Sequence, residues 1–377
     1  MISLESITGF FTNTGQLRLS QRKTLAALVW AVLYEPLLGI AKIGRHLAMA
    51  KTTTAKHAIK RVDRFVGNLR INMEVAQGDL IRQVVGTATR VFLTLDWTEP
   101  NDGVHQMLTC NLRAHGRALP LAWITVRKDE LKDRTRWYEQ QLCERMAALV
   151  PKACHVILLA DRGFATVEFF RFLDALGWDW IIRSKGSILV QHLGQWMLLA
   201  LLGKARPAHG DYRDILYGKR AAGGSYRGRL VVFADRVHTD PWLLMVSAGL
   251  ADWSWGMVVA GYAKRFTCEE SYRDSKNVVY EGFQMNGVKL GTAARWDRMS
   301  LVFAWAYYLL NVGGWDIEAR GDARHWKANT DPQRTHALWR LGEWGLKHHD
   351  VVWRTLERCL EAFRETIPAL QAVPVPT

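Results

Sequence analysis

The chain has 377 residues, 49% of them hydrophobic, with 50 lysines and arginines against 36 aspartates and glutamates, a formal net charge of +14. Such size and apolar content exclude a disordered chain and leave room for two or three domains with cores of their own. The positive excess points to a polyanionic partner, nucleic acid before an anionic membrane surface, although a basic surface of no special function carries the same signature.

Five cysteines, Cys110, Cys143, Cys154, Cys268 and Cys359, form no CxxC pair, so neither a zinc ribbon nor a disulfide framework is expected. Reduced, mostly buried thiols are the expectation. The first residues, "MISLESITGFFTNTG", lack a signal pattern, and the strongest apolar runs are too short to span a bilayer. A cytoplasmic protein without membrane contact is expected. Most of the 17 tryptophans should be core, with a few available to stack on bases.

Residues 16–70 read as helical, within an expected helical DNA-binding domain over 1–85. From Lys42 to Arg70 there are eight lysines or arginines and one acid, Asp63. Within this stretch, "LLGIAKIGRHLAMAKTTTAKHAIKRV" has the pattern of a short helix, a turn and a second helix capped by Thr53 or a neighbouring threonine. Lys56, Lys60 and Arg64 recur at four-residue spacing and share a face. That face suits a helix-turn-helix-like DNA contact, or is simply a solvated stripe.

The pattern changes near residue 91. "RVFLTLDWTE" is an apolar run ending in a carboxylate, and "HQMLTCNLRAHGRALPLAWITV" supplies two more strands split at Gly116. "RTRWYEQQLCERMAALV" is helical, "HVILLADRGF" is a strand ending at Asp161, "TVEFFRFLDALG" a helix and "WDWIIRSKG" a strand. Three strands, helix, strand, helix, strand over 86–186 is the order expected of an RNase H-like α/β sheet.

Residues 187–240 read as a β-rich insertion, with seven lysines or arginines against two aspartates between Lys204 and Arg229. "WLLMVSAG" returns to the sheet and opens the second part of the core, 241–315. Helices are expected at about 255–278, 292–312 and 350–365, the last within a C-terminal helical region over 316–377.

Asp96 and Asp161 each close a strand expected to be buried. If the strands neighbour one another, the carboxylates repel unless a cation joins them. Mg²⁺ or Mn²⁺ takes such oxygen ligands, and two ions about 3.5–4 Å apart can hold the attacking and leaving oxygens of a phosphoryl displacement. For either aspartate alone, a turn or cap role is the simpler reading.

"YAKRFTCEESYRDSK" supplies a third carboxylate. At 100° per residue from Tyr262, Arg265 falls at about 300°, Glu269 at about 340° and Lys276 at about 320°, one narrow stripe. Arg273, near 20°, lies at its edge, and Glu270, near 80°, lies off it. A salt-bridged surface helix, with Glu269 paired to Arg273, is the competing reading.

The spacing of Tyr262, Arg265, Glu269 and Lys276 resembles the signature of the IS-four family of bacterial insertion-sequence DDE transposases. "TLDWTE" and "LLADRGF" resemble the family's two aspartate strands, and the likeness extends to "HAIKRVDRFVGN" and "KANTDPQR". Cys268 stands where an aliphatic residue is common and Tyr272 where phenylalanine is common.

The resemblance implies an RNase H-like catalytic domain with a β-rich insertion, and Asp96, Asp161 and Glu269 as a triad holding two Mg²⁺ ions, with Mn²⁺ able to substitute. It implies DNA contacts by Tyr262, Arg265 and Lys276, with Arg273 beside them. Trp242 is either a residue that stacks on a flipped base or a core tryptophan. The implied activity is cut-and-paste transposition on double-stranded DNA by strand cleavage, hairpin formation and strand transfer, carried out by a homodimer near the nucleoid. A non-catalytic end-binding repressor and an RNase H-like nuclease without strand transfer are the rivals.

Overall fold

The structure is a computed structural model that describes residues 3–50, 53–204, 209–219, 224–234, 240–277, 282–327, 330, 335–348 and 355–372. Five helices come first: α1 (Leu4–Thr14), α2 (Leu19–Tyr34), α3 (Ile40–Met49), α4 (Ala55–Val66) and α5 (Met73–Val85). Thr54 caps α4, its side chain accepting from His57 N, and Asn72 caps α5 through Glu74 N and Val75 N. α3 packs closely on α4 because Gly44 has no side chain: a Cβ there would lie 2.6 Å from Ile59 Cα.

The sheet follows with β1 (Arg90–Thr98), β2 (His105–Ala114), β3 (Arg117–Arg127), α6 (Thr135–Leu149), β4 (His155–Ala160), α7 (Val167–Ala175) and β5 (Asp179–Arg183). Next come β6 (Leu189–His192), β7 (Gln195–Leu198), α8 (Leu199–Lys204), β8 (His209–Tyr217), β9 (Tyr226–Phe233) and β10 (Trp242–Val246). Among the described residues, ten strands form one mixed sheet in the order β3-β2-β1-β4-β5-β10-β9-β8-β6-β7. β1 runs antiparallel to β2 and parallel to β4, which is parallel to β5. The segment 187–240 is β-rich as expected, and its strands extend the core sheet, β9 pairing with β10. Arg206 and Arg220 of its basic run lie outside the described residues.

The last helices are α9 (Trp255–Ala263), α10 (Thr267–Lys276), α11 (Ala293–Ala319), α12 (Leu338–Lys347) and α13 (Leu356–Leu370). The single helix expected over 255–278 is two, joined by a 3-10 turn at Lys264–Phe266, and residue 278 lies outside the described residues. α11 runs seven residues beyond the expected end at 312. It is buried nearly along its length, as a helix apolar on all sides must be. Its Gly314 meets the backbone of Leu338, so α12 packs main chain to main chain. Most of "KANTDPQR" and the start of the helix expected at 350–365 lie outside the described residues. α13 is tied to the sheet by Gln371, which accepts from Phe92 N at 2.9 Å and donates to Arg113 O at 2.8 Å. Among the described residues no helix is long and apolar enough to cross a membrane.

Candidate active site

Alternation along β1 sorts its side chains by face. Val91, Leu93 and Leu95 join the larger core, and Phe92 joins a second core with Ile157, Leu159, Trp242 and Tyr262. Asp96 is in phase with Phe92 and so heads the second face. Leu95 pairs with Ala160 on parallel β4, and the next residues are Asp96 and Asp161. The two aspartates expected from the strand pattern therefore meet at one end of the sheet.

Asp161 Oδ1 accepts from Gly163 N at 2.7 Å, which shapes the loop leaving β4. Burial pushes the Asp96 carboxyl up to about 6; Arg265 pulls it down and the charge of Asp161 pushes it up again. Asp96 is thus a desolvated carboxylate with incomplete charge compensation.

α10 lies across β1, β2 and β3 and is pinned by polar contacts. Cys268 Sγ donates to Asp96 Oδ2 at 3.7 Å, and Tyr272 OH lies 2.6 Å from Thr109 Oγ1. Ser271 Oγ accepts from Ala118 N at 2.7 Å, Asp274 accepts from Arg117 Nε at 2.6 Å, and Lys276 Nζ donates to Thr98 Oγ1 at 2.6 Å. The Cys268 thiol thus finds a partner in Asp96 and the Tyr272 hydroxyl one in Thr109.

Arg265 joins the carboxylates. Its guanidinium is 2.9 Å from Glu269 Oε1 and 3.8 Å from Asp96 Oδ2, with its carbon 4.9 Å from the Phe266 ring centroid. The Glu269–Arg273 pair allowed by helical spacing does not form. Arg273, exposed, pairs instead with Glu270 at 3.0 Å. Glu270 is thus held by Arg273 and Glu269 by Arg265.

Two expected DNA contacts need correction. Tyr262 is fully buried, and Trp242 is 4% exposed with its ring 5.1 Å from that of Tyr262 and stacked on Phe266 at 5.5 Å. Both belong to the core beneath the site, Trp242 in the second of its two sequence readings. A tryptophan opening a strand is buried when helices such as α9 close over that face. Lys56, Lys60 and Arg64 are exposed on α4, and no hydrogen bond or ion pair among the described residues ties them to the carboxylates.

Among the described residues no three histidine, cysteine, aspartate or glutamate side chains are grouped to hold a metal ion. Glu269, its side chain 52% exposed, is turned to Arg265. The donor chemistry of Asp96, Asp161 and Glu269 still fits a hard divalent cation: oxygen ligands only, one of them buried and short of positive charge.

Sequence reading missed Glu139, an acid buried on α6 whose pKa burial raises to about 6, with the charge of Asp161 adding to the rise. The signal was present: Glu139, Leu142, Cys143 and Met146 are the buried positions of α6, so an acid sits on its apolar stripe. No protein-family model matches this chain, and no curated protein matches it either.

Proposed function

We propose that this chain is a DDE-class DNA transposase with an RNase H-like catalytic core, cutting and rejoining DNA by phosphoryl transfer. The observation that carries the reading is the meeting of Asp96 and Asp161 at the ends of adjacent parallel strands, with Arg265 linking Asp96 to Glu269 on α10. An antiparallel β3-β2-β1 meander followed by parallel β4 and β5 supports the RNase H-like assignment.

Asp96, Asp161 and Glu269 would hold Mg²⁺, or Mn²⁺ in its place. When bound, such ions would supply Lewis acidity to the phosphoryl oxygens of the DNA. Arg265 carries the planar fork that pairs with phosphate oxygens, and Lys276 offers a point charge at the end of β1. The exposed stripe of Lys56, Lys60 and Arg64 suits the sequence-independent attraction of a DNA backbone. The partners in this reading are the ends of the element and its target DNA, synapsed by a homodimer in the bacterial cytoplasm.

The test is to incubate the full chain with Mg²⁺ and DNA bearing its own terminal repeats, alongside Asp161→Asn. Cleaved ends, hairpins and joined products are expected from the wild type and none from the variant. Binding without cleavage would identify an end-binding repressor, and nicking without hairpins or joining a nuclease. Cleavage that survives in Asp161→Asn would refute the site.

A further inference from the structure

Glu139 occupies a core position on α6 and is 2% exposed. An ionised acid is rarely retained there unless its charge is paired or used. Its Oε1 accepts from Trp97 Nε1 at 2.9 Å, and Oε2 is ion-paired with Arg136, whose guanidinium carbon lies 4.7 Å from the centroid of the Phe169 ring. Satisfying the Trp97 indole alone would need only a neutral glutamine. The chain instead keeps a carboxylate, with an arginine to balance it.

Trp97 directly follows Asp96. Strand alternation sends Asp96 to the α10 face and Trp97 to the α6 face, so Glu139 grips β1 at the residue next to the first carboxylate. Glu139 also lies within reach of the charge of Asp161.

We propose that Glu139 is a fourth carboxylate of this site, a positioning residue that anchors the Asp96 end of β1 through Trp97 and neutralises Arg136, whose charge would otherwise oppose divalent-cation binding. The inference rests on the metal-dependent reading above. Outer partners of this kind hold ligands in their coordinating orientation, and their loss weakens metal binding by about 10–100-fold. Replacing Glu139 by glutamine keeps an acceptor for the indole and removes the charge. That leaves the positive charge of Arg136 unbalanced, which opposes divalent-cation binding.

The experiment is a Mn²⁺ titration of the full chain without DNA, followed by the electron paramagnetic resonance of free Mn²⁺, with the melting temperature measured in parallel. Wild type, Glu139→Gln, Trp97→Phe and Asp161→Asn are compared. Glu139→Gln should bind Mn²⁺ about tenfold more weakly or worse while melting close to wild type. Trp97→Phe, which keeps the charge and loses the anchor, should weaken binding by a few-fold, and it carries the test if the glutamine variant does not fold. Wild-type affinity in either folded variant overturns the corresponding half of the proposal and leaves Glu139 a structural ion pair. If Asp161→Asn loses Mn²⁺ while Glu139→Gln does not, only this inference falls. If even the wild type binds none, the metal-dependent reading falls with it.

Discussion

Two charged stripes of this protein look alike in sequence and differ in three dimensions. On α4, Lys56, Lys60 and Arg64 face solvent. On the Tyr262–Lys276 segment, Tyr262 is buried, Arg265 spans two carboxylates and Lys276 bonds the end of β1. The outward stripe can act only through its field, which tolerates displacement and weakens with salt. The inward stripe is committed to particular atoms, so a change at one residue there has consequences that its neighbour does not share.

The sharpest test of this contrast lies within the inward stripe. Glu269→Gln should reduce cleavage by roughly a thousandfold, about 4 kcal/mol of activation free energy, whereas Glu270→Gln should stay within about threefold of wild type. Single-turnover cleavage assays decide it, and equal losses would show that the two glutamates are not separated in role.

A smaller effect concerns stability. The folded pKa of Asp96 is raised to about 6 from 3.8, chiefly by burial, so ionising this group opposes folding. The penalty is absent below the unfolded value, grows as pH rises between the two, and is complete above the folded value. Asp96→Asn should therefore stabilise the metal-free chain by about 3 kcal/mol at pH 8 and by almost nothing at pH 3, with activity abolished. Denaturant unfolding at the two pH values measures it; a gain independent of pH would assign the effect to packing.

The smallest structural effect belongs to α4. Changing Lys56, Lys60 and Arg64 together to glutamine should leave stability within about 0.5 kcal/mol, as expected for exposed positions. The same change should weaken DNA binding and flatten its salt dependence, by up to about 0.9 in slope for each phosphate no longer neutralised. An unchanged salt slope would leave this stripe a solvated helix face.

The strands that carry Asp96 and lead into Asp161 were legible because an apolar run followed by a carboxylate is a local pattern, although β1 runs on through Asp96 to Thr98 instead of ending there. The capping of α4 by a threonine was legible for the same reason. The stripe was laid out on one continuous helix, which a 3-10 turn at Lys264–Phe266 divides, although Arg265 still pairs with Glu269 four residues on. The ion-pair partners were not legible: spacing permits Glu269 with Arg273, yet Arg265 takes Glu269 and Arg273 takes Glu270. The burial of Trp242 was equally hidden, since it depends on the Tyr262 and Phe266 rings brought in by the α9–α10 segment. Glu139 left a trace as an acid on an apolar stripe, but no trace of the indole it holds.

By itself the sequence determined most of the alternation of helices and strands and the following of two apolar runs by Asp96 and Asp161, because periodicity and capping are set by near neighbours along the chain. Only the tertiary structure decided that Asp96 meets Cys268, 172 positions away, that Trp97 meets Glu139, and that Tyr262 lies beneath the site. Those contacts depend on how sheet and helices pack, where desolvation and the charges of distant residues set what each group can do.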